Sequence, residues 1–449
     1  MTQQTGSTTI AEMLVPPSAR LSKNNLMMAW WGVCSAMFYL VVAASLALNF
    51  GAINAFIGMA MSVVVYGLIN AVIARYAIKT GLSVALFSQI LLGRTGSVIA
   101  TLIFFATAMY YAIFEGSVIA VGITTVFPSV SYPLAALVVV LLSVPLMFGN
   151  AMRWLDRLNA ILLPVYIIGL VTAIVLAISL YGYNDQWLAL GPAEPSPYGW
   201  WHTFVYYMGI WVLMMYTFDY ARYGKKEDSR FHARVNFGMP FYFVAFFLSG
   251  LAGIFLVASV PLDGGLSEVS VLLALLKMMG VLGLLFIWAT QTRINTANFY
   301  LAATNMQACM TQLIGVRGHY LLWALVVAGL VYVLMLADVF SYLLQALAYQ
   351  GIFVVAWVAM ALTHIALTHK QTSATYIQQQ LEHVTFLRVG AVMAWLLAAL
   401  TGITIMHVGG AYSSFSAPVT IVIASVVYAA FARACHSANR GSRVKLLVR

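Results

Sequence analysis

The sequence predicts an all-α polytopic membrane protein with twelve spanning helices. Three observations carry that expectation. Of 449 residues, 63% are hydrophobic and 8% charged, where a soluble domain carries about 25% charged residues. Apolar windows as long as a bilayer requires, about 20 residues, recur twelve times along the chain. The cations fall in alternate loops. A chain with so few charges cannot keep a soluble surface hydrated, which excludes a soluble enzyme, a disordered protein and a nucleic-acid-binding module. A closed barrel would show short alternating segments instead.

The windows are 26–49, 52–77, 97–125, 132–150, 158–182, 200–220, 237–260, 272–305, 320–338, 340–366, 387–407 and 414–432. Twelve spans put both termini on one side. Arg20 and Lys23 precede span 1; Arg75, Lys79 and Arg94 follow span 2; Arg153 and Arg157 follow span 4. The cluster Arg222, Lys225, Lys226, Arg230 and Arg234 follows span 6. Arg317, Lys370, Arg388 and the five cations from Arg433 to Arg449 continue the alternation, so that 20 of 22 Lys and Arg lie on the terminal side. The opposite loops hold only acids such as Asp185, Glu194, Asp263 and Glu268. By the positive-inside rule both termini are expected in the cytoplasm of an integral plasma-membrane protein, the inner membrane if bacterial. The net charge of +10 is thereby spent on topology, and no basic patch remains for a nucleic acid.

Between the spans, 183–199 reads as a plain loop, 221–236 as a short amphipathic helix against the cytoplasmic face, and 367–386 as a polar connection. Cys34, Cys309 and Cys435 are odd in number and far apart, which suits reduced, buried thiols. His364 and His369 fall at a helix end, where an interfacial place is expected. There is no HExxH, P-loop or GxGxxG. No enzyme, cofactor or metal centre is expected, and transport would run on an ion gradient or be passive.

Ionisable groups in hydrocarbon cost several kcal/mol and face a cavity or a partner. Five stand in or at the ends of spans: Glu115, Asp219, Lys277, Arg293 and Asp338. Gln291, Asn295, Asn298 and Asn305 recur at helical spacing in span 8 and share a face. A carboxamide stripe suits a heterocycle with both donors and acceptors, and equally suits interhelical hydrogen bonding. Tyr110, Tyr111, Phe114 and Glu115 in span 3 offer a flat apolar wall beside one carboxyl, whose natural cationic partner is Arg293. Gly209 would permit a break in span 6, and Trp211 could stack a ring. Asp219 stands three residues before Arg222, as in a local salt bridge. Lys277 and Asp338 can reach water at the outer surface.

Three motifs resemble the nucleobase–cation symporters, the family of purine, cytosine, allantoin and hydantoin permeases. They are Tyr76-Ala-Ile-Lys-Thr-Gly-Leu-Ser83 with Gly93-Arg-Thr-Gly96, then Asp219-Tyr-Ala-Arg-Tyr223, then Asn295-Thr-Ala-Asn298. The resemblance implies a LeuT-type architecture with inverted repeats at about 26–182 and 200–366. A cytoplasmic loop and two peripheral helices (367–432) would follow, between an N-tail (1–25) and a basic C-tail (433–449). Substrate would bind near the midplane between spans 1, 3, 6 and 8. By motif position the stacking residues fall on Tyr110 or Tyr111 and on Trp211 or Ile210. The span-3 polar contact falls on Phe114 or Glu115, and the span-8 amide on Asn298 with Asn295 beside it. Sodium-coupled members hold the ion with span-1 and span-8 carbonyls, here that of Ala289, and two span-8 hydroxyls. Those hydroxyl positions are Thr292 and Arg293, and a guanidinium would repel sodium. The expectation is a permease for a small planar heterocycle, independent of sodium or coupled to protons through Glu115. An amino-acid, amine or vitamin carrier on the same fold, or a passive channel, is the alternative.

Overall fold

The computed structural model describes residues 14–148, 150–316, 318–369 and 371–447, and the side chains of all of these except 150–161, 293, 339 and 435–447. The side chains of Arg293 and Cys435, and the N-tail up to residue 13, therefore lie outside the described residues. Among the described residues, eight helices are long and apolar enough to cross a bilayer. Span 1 adds a bent pair, Lys23–Ser35 and Phe38–Phe50, at 42° to each other. Spans 4 and 9 are the shorter apolar helices Tyr132–Leu146 and Tyr320–Met335, and span 6 is the pair Gly199–Met208 and Val212–Ala221. Together these make the twelve spans.

Two groups of helices form the core. Span 3 (Val98–Val126) lies along span 8 (Ser270–Ile314), with spans 4 and 9 against them. Span 2 (Ala52–Thr80) lies along both halves of span 6, while span 7 (Ser229–Ser259) packs on the second half of span 1. Span 10 (Leu343–Thr368) bridges span 6 to spans 11 and 12, which pack on each other.

The breaks have local causes. In span 1, a 3-10 turn runs over Gly32–Ser35, and the Ser35 hydroxyl donates to the Gly32 carbonyl at 2.9 Å. A serine that competes for backbone in this way loosens a helix. Ala36 is then extended, with ψ 124°. In span 6, Gly209, Ile210 and Trp211 donate to Tyr206, Tyr207 and Met208, the i→i+3 pattern of a tightened turn. Gly209 is required by close approach, since a Cβ there would stand 2.4 Å from the Leu347 carbonyl oxygen. Span 8 is interrupted at Gly280, whose φ of 52° and ψ of −128° are non-helical. Its first turns lie apart from the spanning helix, with Lys277 donating to Pro261 at 2.5 Å and 3.9 Å from Asp263.

Several connections differ from their sequence expectation. The stretch 183–199 is not a plain loop: its 3-10 turn Gln186–Ala189 sets Trp187 against Phe56 and Phe255, and Leu190 accepts from Ala52 at 2.8 Å. The aromatic at its centre has apolar surface to bury, which composition alone did not reveal. No separate amphipathic helix forms in 221–236, because Ser229 already begins span 7 and the π-turn His232–Asn236 buries His232 and Asn236. His364 is buried rather than interfacial, its Nδ1 2.9 Å from the Tyr428 hydroxyl of span 12. His369 is exposed. Cys34 and Cys309 are buried free thiols, as expected.

One end of the bundle gathers the basic connections. There Leu21 donates to Tyr223 at 2.8 Å and forms an isolated bridge with Gly224. The Arg20 guanidinium donates to the Ile78 carbonyl at 2.9 Å and to that of Gly224. At the same end Arg94 donates to Thr385, and Arg388 to Leu92. No salt bridge joins Asp219 to Arg222 among the described residues. Arg222 stacks on the Tyr223 ring at 4.8 Å instead. Asp219 accepts from the Val84 amide at 3.0 Å, capping the short helix Val84–Leu92, where a carboxylate meets unpaired N–H groups and the positive helix end. Replacing it, Asp219→Ala, is expected to cost about 1–2 kcal/mol and to lower the melting temperature of the purified protein. Asp219→Asn should recover part of that loss, and an unchanged melting temperature for Asp219→Ala would refute the capping role.

Candidate functional site

The two helix groups meet where spans 1 and 6 break. A broken helix leaves N–H and C=O groups that hydrocarbon cannot satisfy, and polar side chains from the facing spans supply the partners. Gln291 of span 8 accepts from the Met37 amide at 3.4 Å, just after the span-1 break. Gln350 of span 10 donates to the Gly209 carbonyl at 2.8 Å and to the Tyr111 hydroxyl at 3.1 Å. Tyr66 of span 2 donates to the Tyr207 carbonyl. Spans 2, 8 and 10 thus hold the two interruptions open.

Aromatic rings surround this junction. Phe38, at the start of the second half of span 1, lies 5.0 Å from Tyr111 and 5.2 Å from Phe114, both edge to face. Phe114 continues to Phe340 at 5.1 Å. Trp211 is buried with its ring edge to face with Tyr66 at 6.3 Å. Such contacts are worth about 0.5–1.5 kcal/mol each beyond burial.

Glu115 is the only acidic residue in the buried core among the described residues. A Cβ on its neighbour Gly116 would stand 3.7 Å from Asn295 Nδ2, so span 3 and span 8 are in contact here. Asn295 Nδ2 reaches Ser143 Oγ of span 4 at 3.5 Å. Four buried polar atoms on spans 3, 6 and 8 have no hydrogen-bond partner: Glu115 Oε2, Asn295 Oδ1, Asn298 Nδ2 and Trp211 Nε1. Buried polar groups are nearly always paired, so unpaired ones call for an explanation. They include both donors and acceptors.

Tyr111 meets the Gln350 amide beside the span-6 break, and Trp211 closes the tightened turn of that break. Glu115 is buried next to Gly116, which approaches Asn295, and Asn298 is buried three residues further along span 8. Tyr110 and Tyr111 point differently: Tyr110 lines a crevice facing span 11, while Tyr111 meets Gln350 and Phe38. Phe114 is packed fully between rings. Ile210 is buried in the tightened turn. Ala289 is exposed, and the Thr292 hydroxyl donates to the Trp288 carbonyl at 2.7 Å, which leaves its oxygen lone pairs free. The Arg293 side chain lies outside the described residues, and no ion pair involves Glu115 among them. Asn305 bonds within its own helix, to Leu301. Asp338 is exposed and accepts from Ser341. Gln350 and Phe38 were not selected from sequence. A Gln inside an apolar span, a turn and more beyond Gln345 at its outer end, is a signal that could have found the first.

No protein-family model matches the sequence, and no curated protein matches it. Solved structures do. The chain is similar to Mhp1, a nucleobase-cation-symport-1 family transporter. In the closed conformation with bromovinylhydantoin bound the TM-score is 0.69 at 13% identity, covering 93% of this chain and 95% of that one. In the inward-facing conformation it is 0.75 at 13% identity, covering 95% of each chain. A Na+-coupled sialic acid symporter aligns with a TM-score of 0.52 at 11% identity, over 94% of this chain and 92% of that one. A manganese transporter of Eremococcus coleocola aligns with 0.53 at 18% identity, over 94% and 97%. The chain therefore has the LeuT-type fold of secondary transporters, twelve helices with a five-plus-five inverted repeat. At that level the resemblance to nucleobase–cation symporters is borne out.

Gln350→Leu tests the geometry of the junction. It strands the buried Gly209 carbonyl and is expected to cost about 1–3 kcal/mol. The readout is the melting temperature of the detergent-purified protein, and no decrease would show that the Gly209 carbonyl finds another donor.

Proposed function

We propose that this protein is a secondary transporter of a nucleobase or a related planar nitrogen heterocycle, such as cytosine, a purine, allantoin or a hydantoin. The single observation that carries the reading is the set of unpaired buried amide, carboxyl and indole atoms on spans 3, 6 and 8, the helices that also bring the rings of Tyr111 and Trp211 to the breaks. The bound hydantoin in the solved Mhp1 structure, on the same fold, supports the same substrate class. Trp211 and Tyr111 would flank the ring. Asn298 Nδ2 would donate to a ring acceptor, and Asn295 Oδ1 would accept from a ring N–H. Glu115 would bond an exocyclic or ring N–H. Access would alternate by rocking of the group of spans 1, 2, 6 and 7 against the group of spans 3, 4, 8 and 9, around a fixed site. The basic end, with both termini, would face the cytoplasm, as the cation asymmetry supports.

Glu115 is the coupling group in this reading. A buried carboxyl at the substrate junction can take up a proton on one side and release it on the other. Sodium independence is supported by the sequence, which has Arg293 where sodium-coupled relatives are expected to have a hydroxyl.

Thermal-shift screening of purified protein should show stabilisation by planar heterocycles and none by aliphatic amines. Asn298→Ala should weaken that binding about tenfold or more, a loss of about 1.4 kcal/mol. Stabilisation by amines alone would overturn the substrate class. In reconstituted vesicles, uptake should be equal with and without sodium and should rise as the external medium is acidified. Glu115→Gln should flatten the pH dependence. A sodium requirement in the unmodified protein would refute the coupling scheme while leaving the substrate class standing.

A further inference from the structure

A cavity of about 410 Å³ opens on the flank of the bundle between spans 3, 10 and 11. Its walls are mostly apolar, with Leu102, Ile103 and Ala106 of span 3, Ala346 and Phe353 of span 10, and Trp395 of span 11. Thr107, Tyr110 and Tyr349 add a few polar atoms. Trp395 is fixed there: its Nε1 donates to the Phe353 carbonyl at 3.1 Å, and its ring stacks on Phe353 at 5.8 Å. The mouth runs into the exposed apolar surface of the same spans, where Leu102, Met393, Leu396 and Leu397 are all exposed. At its inner edge the lining reaches Gln350, the residue that holds the span-6 break and Tyr111.

We infer that this groove is a binding site for a lipid acyl chain of the surrounding bilayer, seated against the residue that secures the span-6 break. The chemistry selects the occupant. Walls of leucine, isoleucine, alanine, phenylalanine and tryptophan offer dispersion contacts and almost no polar partners, which suits an alkyl chain. The groove faces sideways from the middle of spanning helices, where the neighbouring medium is hydrocarbon rather than water. Exposed leucines and a methionine of spans 3 and 11 border it, Leu102, Met393, Leu396 and Leu397, so the groove continues into the lipid-facing surface. The groove needs both the ten-helix core and span 11, which contributes Trp395. That gives span 11 a role: it closes the outer wall of a lipid site whose inner edge is Gln350. The inference rests on the membrane-spanning arrangement alone and is independent of what the protein carries.

The test uses the full-length protein in phosphatidylcholine vesicles containing increasing fractions of a phospholipid brominated in mid-chain, which quenches nearby tryptophan fluorescence. The Trp395 signal is the difference between the unmodified protein and Trp395→Phe. Expected is saturable quenching of that signal, half-complete at about one tenth of the brominated fraction needed for the remaining tryptophans, a tenfold preference over ordinary lipid contact. Ala106→Phe, which fills the groove from span 3, should abolish the preference. Ala346→Leu, a smaller filling from span 10, should reduce it and serves if the larger variant fails to fold. Quenching of Trp395 that follows the brominated fraction in simple proportion, as for the other tryptophans, overturns the inference. So does an unaltered preference in whichever filling variants keep the native melting temperature.

Discussion

A helix interrupted inside hydrocarbon exposes backbone groups that only protein atoms can satisfy, and this chain does so twice, in spans 1 and 6. Three side chains answer: Gln291 at the Met37 amide, Gln350 at the Gly209 carbonyl, and Tyr66 at the Tyr207 carbonyl. Each comes from a different span, so spans 2, 8 and 10 must stand where they do for the interruptions to be tolerable. The breaks thereby fix where polar side chains of spans 2, 8 and 10 must stand inside an otherwise apolar bundle.

The division into two helix groups gives the junction its mechanical meaning. Span 3 runs along span 8 and carries Tyr111 and Glu115, while span 6 lies on span 2 and carries Gly209 and Trp211. A ligand between them touches both groups, so its contacts differ whenever the groups shift relative to each other. That differential contact is the energetic condition for a ligand to favour one state over another. Span 10 belongs to neither group, yet it is bonded to both through Gln350.

Much of this was legible in the sequence, and the reasons differ by residue. Spans read well because the bilayer imposes length and apolarity on each window separately. The amide stripe of span 8 read well because helical spacing fixes a face: Gln291, Asn295 and Asn298 are all buried. Gly209 announced the span-6 break because close approach of Leu347 leaves no room for a Cβ. The span-1 break was less visible, since its signals are Gly32 and the Ser35 hydroxyl rather than any Gly or Pro in the residues that follow. Non-local partners were not legible. Asp219 reads as a neighbour of Arg222 but caps a helix 135 positions earlier in the chain, and His364 reads as interfacial until span 12 closes over it.

The strap at the basic end bears on how many independent motions the core has. Leu21 is bonded to Tyr223, and Arg20 spans the carbonyls of Ile78 and Gly224. The chain entering the first half of span 1 is thereby fastened to the chain leaving the second half of span 6, with the end of span 2 in the same knot. Two half-helices that could each swing alone share one anchorage, and a lever fixed to another lever has a single degree of freedom where two separate levers have two. Any displacement of one half-helix at the basic end is therefore carried to the other through these contacts.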